Sequence, residues 1–153
     1  MNILVIYATN SGATEIVSQL VQDTLTKKGH TVTRKEVSTV DTTELTSYDS
    51  IILGSPSWDF DGNEGWPHQN YLPFIEQVKS LTLEGKKFAV FGLGDSSYTH
   101  FCGAVNHLED LIKTVKGNLI VESLKIDGFY FKQAEHTETT TKWAEDLSTT
   151  LTK

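Results

Sequence analysis

Three stretches of the sequence gather residue types that can handle a ligand. The first, "TNSGAT" at 9–14, offers hydroxyls, an amide and a glycine but no charge. The second, "GSPSWD" at 54–59, sets Trp58 just beyond a glycine and two serines. The third, "GLGDSSYTHFCGA" at 92–104, joins two glycines to Asp95 and Tyr98. In the first stretch an apolar run gives way to a helical pattern. The first N–H groups of a helix lack intrahelical acceptors and sit at the positive end of its dipole. Gly12 removes a Cβ that would block close approach, and the hydroxyls of Thr9, Ser11 and Thr14 can donate to phosphate oxygens. Such a loop binds phosphate with oriented dipoles instead of a counter-charge. The Gly-Lys-Ser/Thr ending of a nucleotide-hydrolysing phosphate loop is absent. A plain strand-to-helix turn with Ser or Thr as N-cap is the structural alternative.

A tryptophan at the mouth of a strand either plugs the core or stacks on a planar ligand, and Trp58 is open to both readings. Trp66 is assigned to packing or surface. In the third stretch Gly92 and Gly94 permit a tight turn, Asp95 can accept from an N–H or a hydroxyl, and Tyr98 adds a second flat surface. The G-x-G here lacks the third glycine of a dinucleotide fingerprint. Asp95-Ser96-Ser97 also reads as an Asx or Ser turn, and Cys102 as a small buried thiol. A phosphate cradle with two aromatic plates suits a flat heterocycle on a phosphate-bearing tail, of mononucleotide size.

The elements that must position these stretches follow from hydrophobic periodicity. "NILVIYA" (2–8) is continuously apolar, as a strand buried on both faces requires. From Ala13 to Lys28 the apolar residues recur at helical spacing, with Gly29 as the stop. Further strands are expected over 30–37, 47–56, 86–94 and 118–128, with 54–66 as a long aromatic and acidic loop. A helix is expected to end near Ser80 and to begin at Pro67–His68 or nearer Pro73, since proline belongs in a first turn. Helices are also expected over 101–117 and 134–151, the last weakened by its threonines. Strict alternation predicts an α/β fold, a doubly wound five-stranded parallel sheet with helices on both faces, in one domain over 1–153. Ligands of such sheets sit at the carboxyl ends of the strands, where all three stretches fall.

Composition limits the partners. The chain has 153 residues, 38% apolar and 22% charged, which is globular. A net charge of -7 opposes nucleic-acid binding. It suits either docking on basic partners or solubility alone. One cysteine permits no internal disulfide and fits a reducing compartment, so a cytoplasmic location is expected. The apolar start is too short to span a membrane and lacks a basic leader, so it reads as a first strand.

With these motifs in place, the sequence resembles the flavodoxin family. "IYATNSGATEIV" is similar to its phosphate-binding signature and "GSPSWD" to its second flavin loop. "FGLGDSSYTHFCGAV" followed by "VESLKIDG" is similar to the third loop and last strand of the short-chain members. The resemblance implies sheet order 2-1-3-4-5 and bound flavin mononucleotide (FMN). It implies that Thr9, Asn10, Ser11, Gly12, Ala13 and Thr14 hold the phosphate. Ser55, Pro56 and Ser57 would support phosphate and ring, with Trp58 over one face, Tyr98 over the other and Asp59 beside them. Gly92, Leu93, Gly94 and Asp95 would meet the pyrimidine edge, with Phe101 and Cys102 close behind. Departures are Ser18 for the usual alanine, Ser11 for threonine, and Asp59 where many relatives carry glycine. In the family the peptide after the tryptophan flips on one-electron reduction. Glycine tolerates the positive φ this needs, and a Cβ resists it. The segment 59–68, with its "EGWPH", also departs from the usual length.

The resemblance implies a monomeric electron carrier between a reductase and an acceptor enzyme, without substrate turnover of its own and without metal. Asp59, Asp61, Glu64 and Asp95 would put negative charge near the ring and lower its potential. Three other readings share the fold: a flavin or quinone reductase, a phosphoacceptor module and an activator of a metal-radical enzyme. The phosphoacceptor needs aspartates at the ends of the first and third strands, where this chain has Ala8-Thr9 and Gly54-Ser55.

Overall fold

A computed structural model of the chain describes residues 1–60 and 62–153. At its centre β1 (Asn2–Tyr7) pairs in parallel with β2 (Thr31–Glu36) on one side and with β3 (Ser50–Phe60) on the other. Next to β3 lies β5 (Lys87–Gly94), also parallel. The far edge is formed by β6 (Asn118–Leu119) and β7 (Leu124–Asp127), both parallel to β5. Alternate residues of the buried strands face opposite ways. Ile3 and Val5 join Ile52 and Phe91 under α1 (Ala13–Lys27) and α4 (Gln133–Leu151). Leu4 and Ile6 join Leu53 and Val90 under α2 (Tyr71–Val78) and α3 (Gly103–Thr114). Two cores therefore flank one sheet, as the doubly wound reading expects.

The strand order across the sheet is the expected one, but five strands is a correction: the sheet has seven strands among the described residues. Two local events add the extra pair. The single fifth strand expected over 118–128 is broken in two. Partner pairs Phe88↔Leu119 and Phe91↔Leu124 flank the break, so the edge strand carries two more residues than β5 over the same stretch. Such an interruption blunts an open edge. Here α3 and α4 cover it: Ser123 Oγ donates to Glu109 at 2.6 Å and Trp143 Nε1 donates to the Glu122 carbonyl at 2.9 Å.

The second event corrects the long loop after the third strand. β3 runs on past the parallel sheet and folds back in antiparallel pairing with β4 (Asn63–Pro67). This hairpin lies on α3. Trp66 stacks on His107 with centroids 4.3 Å apart, which gives Trp66 the packing role assigned from sequence. Gly65 and Gly103 meet so closely that a Cβ on Gly103 would come within 2.5 Å of the Gly65 carbonyl oxygen.

The helix around Pro73 starts at Tyr71. Pro73 thus falls in the first turn, where an N–H has no intrahelical partner and its absence costs nothing. In α4 the threonines that weaken helix propensity are mostly satisfied locally, the buried Thr140 hydroxyl being without a partner among the described residues. Thr137, Thr139, Thr141 and Thr149 each donate to the carbonyl four residues earlier.

One side chain ties the carboxyl ends of β1 and β3 together. Tyr71 is fully buried, its hydroxyl accepting from Gly54 N–H at 3.1 Å and donating to the Ile6 carbonyl at 2.9 Å. Burial pushes its phenol far above the ordinary value, so it stays a neutral donor. Tyr71→Phe strips a partner from two buried backbone groups. It should cost about 1–3 kcal/mol in urea unfolding with an unchanged m-value.

Three histidines should make the fold sensitive to acid. Burial lowers the pKa of His30, with the N-terminal charge adding to it. Burial also lowers His68 and His107, opposed by the charges of Glu36 and Asp110 respectively. The unfolded chain then binds protons that the folded chain refuses. Their contribution is intact above the ordinary value of 6.5 and is lost as pH falls below it. Urea midpoints measured from pH 8 to pH 5 should decline below about pH 6.5.

Candidate functional site

The residues between β1 and α1 leave the helix start open. Gly12 is the N-cap with φ of +94°, and no side chain caps the helix. The Ser or Thr N-cap considered from sequence therefore does not form. Thr9 is turned inward, its Oγ1 accepting from Gly12 N–H at 2.9 Å, and α1 begins with Ile16 N–H donating to the Gly12 carbonyl at 3.1 Å. The amides of Ala13, Thr14 and Glu15 are left without helical acceptors. Ser18, the departure on this helix, donates to the Glu15 carbonyl and accepts from Arg34 Nη1 at 3.1 Å. That holds the Arg34 guanidinium against α1 and 5.0 Å above the Tyr7 ring, outside the loop.

The second stretch is positioned by the hairpin. Ser55 is buried, donating to the Pro56 carbonyl and accepting from His68 N–H at 2.9 Å. Ser57 Oγ accepts from Ala104 N–H at 3.2 Å, so it ties this segment to the start of α3. Trp58 is half-buried, with the His68 ring 5.7 Å from its own. The buried His68 accepts from Asn70 N–H through Nδ1, which leaves its proton on Nε2.

The third stretch leaves β5 as a turn built on carboxylates. Asp95 Oδ1 accepts from Ser97 N–H at 2.8 Å, which with the Ser97 hydroxyl holds its pKa below the ordinary value. The Asx turn read from sequence is thus present. Asp127, at the end of β7, accepts from Ser96 N–H at 2.9 Å and fastens the turn to the neighbouring strand. Cys102 has φ of +51°, with its thiol buried against the Gly92 and Ile126 carbonyls. Burial pushes that thiol up to about 12, which leaves it unreactive as a nucleophile.

All three stretches line one cleft of about 460 Å³. The first contributes Asn10, Ser11, Ala13 and Thr14; the second contributes Pro56, Ser57, Trp58 and Asp59. From the third come Leu93, Gly94, Asp95, Tyr98 and Cys102. Five of the residues singled out from sequence stand behind this lining. Thr9 and Gly12 bond to each other, Ser55 is enclosed by His68, and Phe101 packs against the core. Gly92 lies under α3, where a Cβ would come within 2.4 Å of Val105 Cγ2.

The structure adds residues that the sequence motifs did not mark. Gly65 enters the lining because the hairpin rests on the third stretch at His100, which had no role within that stretch, and Glu64, already expected near the ring, lines the cleft with them. Phe129 and Tyr130 enter from the turn after β7. Their one sequence signal is the aromatic run "FYF" directly after a strand-ending glycine. Asp59, Glu64 and Asp95 face the cleft, and among the described residues no lysine or arginine lines it. Asp61 lies outside the described residues.

The donor set fits a phosphorylated flat ligand. Unpaired helix-start amides and the Ser11 and Thr14 hydroxyls suit an anion, while Trp58 and Tyr98 offer aromatic faces in the same cleft. Among the described residues no helix is long and apolar enough to cross a membrane.

Comparison with known proteins agrees with this reading of the fold. Residues 5–143 match the family model described as Flavodoxin. The chain is 38% identical over 126 residues to "Probable flavodoxin 2" of Bacillus subtilis (strain 168), covering 82% of this chain and 81% of that protein. Flavodoxin 2 from Bacillus cereus, solved in its oxidised form, superimposes with a TM-score of 0.82 at 33% identity, over 99% of this chain and 98% of that one. A short-chain flavodoxin associated with a non-canonical PDU bacterial microcompartment gives a TM-score of 0.86 at 30% identity, over 99% of both chains. With the signature loops, the strand order and these likenesses in agreement, the chain belongs to the flavodoxin family.

Proposed function

We propose that this protein is a low-potential one-electron carrier that holds FMN non-covalently in the cleft and turns over no substrate of its own. The observation that carries this reading is that one cleft is lined both by the open start of α1 and by two aromatic rings. Its volume of about 460 Å³ lies within the usual range of cofactor pockets. FMN, when bound, supplies the redox chemistry by accepting electrons singly. The chain binds, orients and tunes.

Asn10, Ser11, Ala13 and Thr14 hold the phosphate through amides and hydroxyls, with Thr9 and Gly12 shaping the loop. Trp58 and Tyr98 cover the ring faces and exclude water. Leu93, Gly94, Asp95 and Cys102 meet the ring edge, while Pro56 and Ser57 support it from the hairpin. Ser55, Gly92 and Phe101 act from behind this surface. Asp59, Glu64 and Asp95 oppose added electrons by their negative charge, and a phosphate loop without cations works in the same direction. The carrier docks on basic faces of a reductase and an acceptor in the cytoplasm, as the net charge of -7 favours. A reductase activity would need a substrate shelf beside the ring, and the hairpin and the turn after β7 already line that cleft.

A redox titration of the purified protein tests the assignment. The protein should be yellow and take up two electrons in separate steps, the second well below the potential of free flavin. Colourless protein that takes up no flavin overturns the reading. The same titration tests Asp59. This residue sits at the irregularity between the Trp58↔Trp66 and Phe60↔Asn63 pairs and does not have the positive φ that a flipped peptide needs. Removing its Cβ relieves about 1 kcal/mol of resistance. Asp59→Gly should therefore raise the first potential by about 40 mV.

Partner docking predicts a salt effect. Electron transfer to a basic partner should slow as ionic strength rises from about 0.01 to 0.3 M, because exposed charges are screened over that range. Rates independent of salt would remove the acidic rim from docking.

A further inference from the structure

Tyr130 belongs to none of the three sequence motifs. It follows Gly128, whose N–H donates to the Gly94 carbonyl at 2.9 Å, so the turn that carries it is fastened to β5. Phe129 beneath it is buried, with its ring 5.5 Å from that of Tyr130. From this base the Tyr130 hydroxyl donates to the Ser11 carbonyl at 2.8 Å. The other end of the same peptide is also held, since Gly12 N–H donates to Thr9 Oγ1 at 2.9 Å. One peptide plane is thus gripped at both ends, by its own loop and by a residue 119 positions away.

The grip matters because of where that plane lies. Gly12 has φ of +94° and no Cβ, so its backbone can rotate at little cost unless something outside the residue fixes it. Its carbonyl accepts the first hydrogen bond of α1, from Ile16 N–H. The gripped Ser11–Gly12 peptide thus adjoins the Gly12–Ala13 peptide, whose N–H is the first of the free helix-start amides, and limits how Gly12 can turn them. The Tyr130 oxygen lies 3.4 Å from where a Gly12 Cβ would be, which places the hydroxyl directly against this residue.

We propose that Tyr130 is a positioning residue for the flavin phosphate: it locks the Ser11–Gly12 peptide so that the helix-start amides are arranged before the phosphate arrives. This rests on the FMN reading above. An arranged loop spares the ligand the cost of ordering it. The gain belongs to the phosphate alone, because the hydroxyl is spent on the loop.

The test is Tyr130→Phe, which removes one hydroxyl and keeps the ring. The full chain is stripped and reloaded with FMN or with riboflavin, which lacks the phosphate, and the dissociation constants are read from flavin fluorescence. The variant should bind FMN about 3- to 10-fold more weakly, the range one hydrogen bond commands, with riboflavin unchanged. Unchanged FMN affinity overturns the proposal. Equal losses for both flavins also overturn it, since they place the hydroxyl's effect on the ring or on the fold. A wild-type chain that does not prefer FMN over riboflavin would instead overturn the cofactor assignment itself.

Discussion

The chain leaves β1 toward one face of the sheet and leaves β3 toward the other, although the two strands lie side by side. At their carboxyl ends the backbone contact is down to Ala8 N–H donating to the Gly54 carbonyl at 3.2 Å, and a side chain adds to it. Tyr71 bridges the two strands there, with its hydroxyl shared between Gly54 and Ile6. Flavodoxins are themselves a standing example of ligand binding at such a switch point. In this chain a buried neutral phenol bridges the two strand ends at that point.

The three walls of the cleft are built by different means. The first is a helix start left open by a glycine N-cap. The second is a β-hairpin braced on α3 through Gly65–Gly103 and Trp66–His107. The third is a turn held by Asp95 and by Asp127 of the neighbouring strand. Each wall borrows its rigidity from an element that is not its neighbour in sequence. This is how positioning to fractions of an ångström is obtained from segments that are irregular by themselves.

Charge is distributed to match. The sole arginine, Arg34, is held outside the loop by Ser18, Gln19 and Gln22. The cleft keeps Asp59, Glu64 and Asp95. Under the proposed function, a phosphate held by dipoles alone would leave this negative field intact around the ring. Binding and a low potential therefore do not compete, as they would if a lysine held the phosphate.

Much of this was legible in the residues themselves. Period-two and period-3.6 patterns placed the strands and helices, because burying apolar side chains is a local demand with a local signature. The signature loops marked the helix start and the two aromatic rings that line one cleft. Other features depended on contacts remote in sequence. A continuous apolar pattern over 118–128 cannot reveal that two residues are looped out of pairing with β5. The stretch 54–66 looked like a loop because its second strand has only five residues, "NEGWP", containing a glycine and a proline. Its pairing is secured by α3. Tyr130 was invisible for the same reason: an aromatic residue after the last strand acquires meaning only when the sheet brings it over Ser11, 119 positions earlier. Sequence fixes what each segment can bury or bind, while the fold decides which distant segments share one cleft.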